Sequence, residues 1–221
     1  MSERSGPFRL KVAGENACFT RPEMKVERVS YEVMTPSAAR GILEAILWKP
    51  AIRWRVEQID VLKPIRWDSV RRNEVGAVVP AGSVKTAMNR GCGDLGLYIE
   101  DNRKQRAGLF LREVAYIIHA HFEMTDKAGE SDSVTKFEQM FMRRASNGQC
   151  YHRPYFGCRE FPVDFEFLPR EAQAPECAGI TKDLGWMLYD LDYSGPEPLP
   201  QFFNASLVKG VLDLRCVEVR S

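Results

Sequence analysis

The sequence has no apolar run near the roughly 20 residues that a membrane-spanning helix needs. Its first seven residues also lack the apolar stretch of a secretory signal peptide. We therefore predict a cytoplasmic protein with no membrane partner. Of its 221 residues, 44% are hydrophobic, which is enough for one mid-sized core or a core domain with a small companion.

Cysteine and histidine are scarce and lack the spacing of a metal site. None of the six cysteines belongs to a CxxC pair, so neither a zinc knuckle nor a dense disulfide framework is predicted. The three histidines are His119, His121 and His152. The first two form an HxH pair, but no third ligand is identifiable, so we predict no metal and no cofactor.

An excess of positive charge is also lacking. The formal net charge is +1, so the chain as a whole does not indicate an acidic partner. Basic residues instead form local clusters, which fit nucleic-acid binding where aromatic residues are close, although each cluster is also typical of a solvated face. The clusters are Arg21, Lys25 and Arg28; Arg66, Arg71 and Arg72; Arg103, Lys104 and Arg106; and Arg143, Arg144 and Arg153.

Hydrophobic periodicity predicts helices and strands in the order β, α, β, β, α, β. Alternating apolar residues predict strands at 8–12, 51–61, 109–124 and 155–168. Helical spacing predicts helices at 36–48, with Thr35 as N-cap and Pro36 as first residue, and from 134 to the Asn147-Gly148 pair. Residues 68–105 are predicted to be an inserted strand pair or loop. The strand at 109–124 places His119 and His121 on one face.

This order of elements is that of an α+β, ferredoxin-like fold. Near the C-terminus, a proline-rich break at residues 195–200 separates short apolar runs, which indicates a small antiparallel β domain. We therefore divide the chain into a ferredoxin-like domain at residues 1–168 and a small β-rich domain at residues 169–221.

Two stretches carry a specific resemblance. Residues 18–64 read CFTRPEMKVERVSYEVMTPSAARGILEAILWKPAIRWRVEQIDVLKP, and residues 147–161 read NGQCYHRPYFGCREF. Both resemble the family-five CRISPR-associated Cas proteins of subtype I-C in order, spacing and length. The resemblance implies an RRM-related, ferredoxin-like domain with a small C-terminal sheet. It also implies a metal-independent endoribonuclease that cuts CRISPR precursor RNA at the repeat hairpin and stays on the product in the interference complex.

The resemblance also implies site residues. In this family a tyrosine, a lysine and a histidine are assigned to catalysis. The tyrosine position, directly before WKP, is Leu47 here, and the family stretch KxxxMFxRRA matches the lysine to Lys136 and the histidine to Phe137. Lys136 is thus predicted to stabilise the charged phosphorane; a solvated lysine on the polar face of a helix is the alternative interpretation.

The missing acid and base need other candidates. His119 and His121 are predicted to supply them, because histidine exchanges protons near neutral pH; a structural role on the sheet surface is the alternative. The aromatic residues around Arg153 are predicted to stack on bases, with packing around Pro154 as the alternative. The predicted RNA-binding residues are Arg21, Lys25, Arg143, Arg144, Tyr151, His152, Arg153 and Tyr155.

Three functions remain open from the sequence. An endoribonuclease is favoured, because imposed in-line geometry can promote attack by a 2'-OH with few catalytic groups. A non-catalytic subunit that grips the 5' handle of the crRNA is the second, because Leu47 and Phe137 exchange no protons. General affinity for duplex nucleic acid, including double-stranded DNA, is the third, since phosphate contacts are independent of sequence.

Overall fold

The computed structural model describes residues 3–221, so Met1 and Ser2 of the predicted N-terminal domain lie outside the described residues. The helices are α1 (Pro36–Ile46), α2 (Ala81–Arg90) and α3 (Val134–Ser146). The strands are β1 (Phe8–Ala17), β2 (Ile52–Val61), β3 (Trp67–Val75), β4 (Arg103–Met124), β5 (Asp164–Leu168), β6 (Lys182–Asp192), β7 (Leu199–Leu207), β8 (Val211–Asp213) and β9 (Val219–Arg220). None of the helices in residues 3–221 has both the length and the hydropathy to cross a bilayer.

The larger sheet is antiparallel, with the strand order β5-β1-β4-β2-β8. The C-terminal half of β4 lies between β1 and β2, and its N-terminal half pairs with β3 in a two-stranded arm. Side chains alternate along β4, so Ile118 and Phe122 face the helices whereas His119 and His121 face away. The prediction that the two histidines share a face is confirmed.

Aromatic side chains fill the space between this sheet and the helices α1 and α3. The ring centroid of Phe141 lies 4.7 Å from that of Trp54 and 4.9 Å from that of Phe8, and all three rings are buried. The indole Nε1 of Trp54 donates a hydrogen bond of 2.8 Å to the carbonyl of Leu47 at the end of α1. The cluster therefore holds α3 and the C-terminus of α1 against one face of the sheet.

The starts of both core helices follow the capping rules. The hydroxyl of Thr35 accepts a hydrogen bond from the N–H of Ala38, and the hydroxyl of Ser133 accepts one from the N–H of Lys136. The N-cap predicted at Thr35 is confirmed. The helix α1 ends at Ile46, two residues before the predicted end, because the chain becomes extended at the next residue.

The predicted strand at 155–168 is wrong in its first half, because β5 begins only at Asp164. Before it, Tyr155 makes just an isolated bridge with Pro162. Gly157 has a φ of +76°, and a Cβ at this position would lie 2.0 Å from the carbonyl oxygen of Cys18. This close turn against the end of β1 prevents the segment from continuing as a strand.

The inserted segment contains a strand pair, as predicted, but also the unpredicted helix α2. The pair consists of β3 and the N-terminal half of β4, which begins at Arg103 rather than at residue 109. None of the residues of α2 is buried, and its first turn has no side-chain cap. A helix without a buried face leaves no apolar periodicity in the sequence, so the pattern could not indicate it.

The C-terminal part forms a three-stranded sheet with the order β6-β7-β9. It is joined to the rest of the chain in two ways. The strand β8 pairs with β2 in the larger sheet, and Asp190 of β6 accepts two hydrogen bonds from Arg40 of α1. The predicted small antiparallel sheet is present, and it packs against the start of α1.

Candidate nucleic-acid interface

His119 and His121 lie beside carboxylates on the sheet face that points away from the helices. The Nε2 of His119 lies 2.7 Å from Oδ2 of Asp60, a buried residue of β2. The Nδ1 of His121 lies 3.0 Å from Oε1 of Glu57, within ion-pair distance for a protonated ring. The geometry is not that of a hydrogen bond, and this buried Nδ1 has no hydrogen-bond partner among residues 3–221. Within the same residues, no three side chains gather as a metal-binding group.

Several other cations on this sheet face already have partners. Arg55 lies 2.9 Å from Glu123, and Lys11 lies 3.0 Å from Glu166. The guanidinium of Arg9 donates to backbone carbonyls of the segment that follows β5. Because these three cations already have acceptors, they offer little free positive charge to a phosphate backbone.

Lys136 lies on the opposite side of the sheet, in the first turn of α3. Its Nζ donates to Oδ1 of Asp132 at 2.9 Å and to the carbonyl of Ser131 at 3.2 Å. This hydrogen bond from Lys136 lowers the pKa of the Asp132 carboxyl below its usual value, so Asp132 is ionised at neutral pH. The sheet therefore separates Lys136 from the two histidines, and the three predicted catalytic residues are not brought together.

Lys136 instead lines a cavity of about 350 Å³ between the end of α1 and the start of α3, which we name the α1–α3 groove. It is lined by Lys49, Pro50, Ala51, Lys127, Asp132, Lys136, Phe137 and Met140. Three lysines and one carboxylate give this groove a net positive charge. Such a concave basic surface attracts the phosphates of nucleic acid.

Two predicted RNA-binding residues cap the C-terminus of α1, the helix that leads into this groove. Arg144 follows Lys136 by eight residues, or two steps of four, so both lie on one side of α3. They are about 12 Å apart along the helix axis. Its guanidinium donates to the carbonyl of Ile46 at 2.9 Å. The backbone N–H of Tyr151 donates to the carbonyl of Ala45 at 2.8 Å. These donors form hydrogen bonds with carbonyls that have no intrahelical partner at the end of α1.

Two exposed aromatic side chains lie at the end of α1. The side chain of Tyr151 is 90% exposed and that of Trp48 is 59% exposed. Because both adjoin the end of α1, bases of an RNA whose phosphates enter the groove can stack on these rings. Sequence reasoning missed Trp48 and Lys49, although the WKP triplet directly after the last buried residue of the helix is a usable signal.

The other predicted RNA-binding residues lie outside the groove. His152 and Tyr155 have ring centroids 6.3 Å apart and line a second cavity at the start of α1. Arg153 forms an ion pair of 2.5 Å with Asp164 on an exposed part of the surface. Arg143 is exposed on α3.

Arg21 and Lys25 lie in the loop that follows β1. The guanidinium of Arg21 lies 4.6 Å from the ring centroid of Tyr31 and 3.8 Å from Glu23, whereas Lys25 is exposed. Neither residue lines the α1–α3 groove. Arg21 is thus engaged in local contacts, and a role of either residue in RNA binding stays a prediction.

The two positions at which the family residues are replaced are buried. Leu47 is fully buried, and Phe137 is 2% exposed with its ring centroid 6.4 Å from that of Phe122. Both side chains belong to the hydrophobic core. Leu47 therefore presents no side chain to a bound RNA, and Phe137 contributes only the small exposed part of its ring to the wall of the groove.

We expect Phe137→His to lower the free energy of unfolding by about 1–3 kcal/mol, because a polar imidazole replaces an apolar ring that is buried in the core. It should not raise the rate of RNA cleavage. Urea unfolding and a cleavage assay measure the two effects, with Phe137→Leu as the apolar control that should lose less stability. Faster cleavage with unchanged stability would contradict a purely structural role of Phe137.

Comparisons with known proteins agree with the resemblance seen in the sequence. The Cas5d family model, described as CRISPR-associated protein (Cas_Cas5), matches residues 8–215. A protein of Mannheimia succiniciproducens named CRISPR pre-crRNA endoribonuclease Cas5d is 52% identical over 212 residues, 94% of each chain. A protein of the same name from Thermus thermophilus is 42% identical over 225 residues, 94% of this chain and 90% of that one.

The fold has also been seen in a solved structure. A solved structure titled Crystal Structure of CRISPR-associated Protein is similar with a TM-score of 0.72, at 23% identity and over the full length of both chains. The family model covers both sequence blocks and every element from β1 to β8. The chain belongs to the Cas5d family of CRISPR-associated proteins.

Proposed function

We propose that the protein is a metal-independent endoribonuclease that recognises and cuts the repeat hairpin of CRISPR precursor RNA. The observation that carries this proposal is the α1–α3 groove, in which Lys136 and two further lysines face solvent, with exposed aromatic residues at the end of α1. Membership of the Cas5d family and the 52% identical endoribonuclease support it. Its place of action is the cytoplasm, where the precursor transcript is made.

The proposed fold of the N-terminal part is ferredoxin-like and RRM-related. Its support is the chain order β1-α1-β2-β4-α3-β5 together with the sheet order β5-β1-β4-β2, with α1 and α3 on one face. The division into residues 1–168 and 169–221 belongs to this proposal. Since β8 pairs with β2, the two parts act as one unit on the RNA.

The proposed chemistry is attack of an RNA 2'-OH on the adjacent phosphate. A water molecule takes the proton of the 2' hydroxyl, the 2' oxygen bonds to phosphorus as the bond from phosphorus to the 5' oxygen breaks, and water returns a proton to the 5' oxygen, which leaves a 2',3'-cyclic phosphate and a 5' hydroxyl. Negative charge develops on the phosphorane, and Lys136 is the group placed to stabilise it. Lys49 and Lys127 hold the flanking phosphates, and Trp48 and Tyr151 stack on the neighbouring bases.

The roles of the two histidines follow from the face of the sheet on which they lie. An RNA in the α1–α3 groove lies on the helix side, whereas His119 and His121 lie on the other side and pair with Asp60 and Glu57. We assign both histidines to the stability of the sheet in this scheme. Orientation of the 2'-OH in line with the leaving oxygen then supplies much of the rate enhancement.

The buried positions of Leu47 and Phe137 favour a second candidate function. Because Leu47 is fully buried and Phe137, which lines the groove, has no group that exchanges a proton, the protein as a non-catalytic subunit would grip the 5' handle of the crRNA within the type I-C interference complex. Binding of the mature crRNA and of the other subunits belongs to both candidates. Sequence-independent affinity for double-stranded DNA would use the same lysines.

Cleavage of the cognate repeat RNA in the presence of EDTA tests the proposal. We expect one specific product, which disappears when a single 2'-deoxy nucleotide stands at the cut. Tight hairpin binding without any cut would favour the non-catalytic subunit. A steep salt dependence without preference for the hairpin over duplex DNA would favour general nucleic-acid binding.

A further inference from the structure

A second cavity, of about 400 Å³, lies at the other end of α1 from the α1–α3 groove. Its walls are the start of α1, the segment at residues 152–157 and the strand β6, so it sits where the N-terminal and C-terminal parts meet. The volume falls within the roughly 300–1,000 Å³ of small-molecule sites, which often occur at such junctions. We name it the α1–β6 pocket.

The charged groups of this pocket argue against a phosphate as its occupant. The guanidinium of Arg40 donates to Asp190 at 2.9 and 2.7 Å and to Glu44 at 2.8 Å. One cation held by two carboxylates has no excess positive charge to offer. The trio fixes Arg40 in place and leaves a pocket suited to an uncharged planar group.

Aromatic side chains provide surfaces for such a planar group. Tyr155 is half-buried beside His152, with the two rings tilted by 40°, and Tyr193 stands exposed across the pocket mouth. The hydroxyl groups of Thr20 and Ser37 also line the pocket and can bond to the polar edge of a ring. Stacking surfaces combined with hydroxyl groups are characteristic of sites that hold single unpaired bases.

A glycine in the middle of α1 adds an independent argument. Gly41 lines the pocket, and a Cβ built on it would meet no atom within 4 Å. Glycine weakens a helix relative to alanine, and here no close packing requires it. Its effect is to leave the helix backbone open to close approach by a ligand.

We propose that the α1–β6 pocket takes the base of one unpaired nucleotide next to the repeat hairpin, while the α1–α3 groove holds the phosphates. This inference rests on the proposed function, because it assigns a second contact to the same RNA. It explains how the C-terminal sheet takes part in recognition. The RNA is then read at two points on α1, one at each end.

Filling the pocket tests this proposal. Gly41→Trp places an indole in the open space, whereas Gly41→Ala adds one methyl group and serves as the matched control. Affinity is measured by fluorescence anisotropy with repeat RNA made uncleavable by a 2'-deoxy nucleotide at the mapped cut. In parallel RNAs, each unpaired nucleotide in turn is replaced by an abasic residue.

One abasic position should weaken binding to the wild-type protein about 10-fold or more, as expected for the loss of one stacked base. Gly41→Trp should bind the intact RNA about 10-fold more weakly than the wild type does. The same abasic position should then cause no further loss of affinity in this variant. Gly41→Ala should behave as the wild type. Tyr155→Ala, with Tyr155→Phe as control, gives a second variant that leaves α1 unchanged.

The outcomes separate the pocket from the proposed function. If the wild type binds and cuts the repeat but Gly41→Trp binds every RNA equally well, the pocket proposal is overturned and the endoribonuclease stands. The same conclusion follows if the abasic effects are unchanged in Gly41→Trp. If the wild type neither binds nor cuts the repeat RNA, the proposed function fails and the pocket proposal fails with it.

Discussion

We expect Lys136→Ala to lower the single-turnover rate of precursor RNA cleavage by about 10²–10³-fold, the usual loss when a group that stabilises transition-state charge is removed. The ammonium is exposed in the α1–α3 groove and is oriented by Asp132 rather than neutralised by burial. Hairpin affinity should fall only a few-fold, since one phosphate contact among several is lost. Quenched-flow cleavage and anisotropy measure the two quantities.

Lys127→Ala is the matched control for this variant. It removes a lysine of the same groove, one that lies in the loop before α3. A contact made equally in the ground and transition states affects binding more than the rate. We therefore expect slightly weaker affinity for the RNA and a cleavage rate within about 5-fold of the wild-type rate. His119→Ala and His121→Ala complete the comparison. Cleavage that survives in Lys136→Ala but is lost in either folded histidine variant would move the active site to the opposite sheet face.

We expect Phe141→Ala to lower the free energy of unfolding by about 3–5 kcal/mol, the range for truncating a buried aromatic side chain. The ring lies in the centre of the aromatic cluster, in contact with Phe8 and Trp54, and it is fully buried. Its removal leaves a cavity between α3 and the sheet. Equilibrium unfolding in urea, followed by circular dichroism, gives the size of the loss.

Met142→Ala is the control on the same helix. Its side chain is 36% exposed, so its truncation should change stability by no more than about 0.5 kcal/mol. Phe141→Leu should fall between the two variants. A loss of stability below roughly 1 kcal/mol for Phe141→Ala would mean that the aromatic cluster does not anchor α3, because truncation of a buried aromatic side chain ordinarily costs more than that.

Helices and strands with a buried face were predictable, because their apolar residues recur with the period of the helix or strand. The helices α1 and α3 and the strand β4 were found in this way, and alternation placed both histidines on one face. The first half of the predicted strand at 155–168 failed because a turn against Cys18 overrides the alternation. The helix α2 left no signal because none of its residues is buried.

The candidate site was less predictable because its parts meet only in the folded chain. Lys136 was identified through the family resemblance, but Lys49 joins it from the end of α1. The carboxylates of Asp60 and Glu57 reach the histidines through the register between β2 and β4, which the sequence does not specify. Alternation assigns a side chain to a face of the sheet, whereas pairing decides its neighbours.

The pairing of β8 with β2 has a consequence for the behaviour of the protein in concentrated solution. Residues 211–213 cover the backbone of β2 between Gln58 and Asp60, which would otherwise be an open sheet edge. An uncovered edge of this kind recruits strands from other molecules. The C-terminal part thus shields the larger sheet from intermolecular strand addition, so a chain shortened after β5 is expected to aggregate as well as to lose the second cavity.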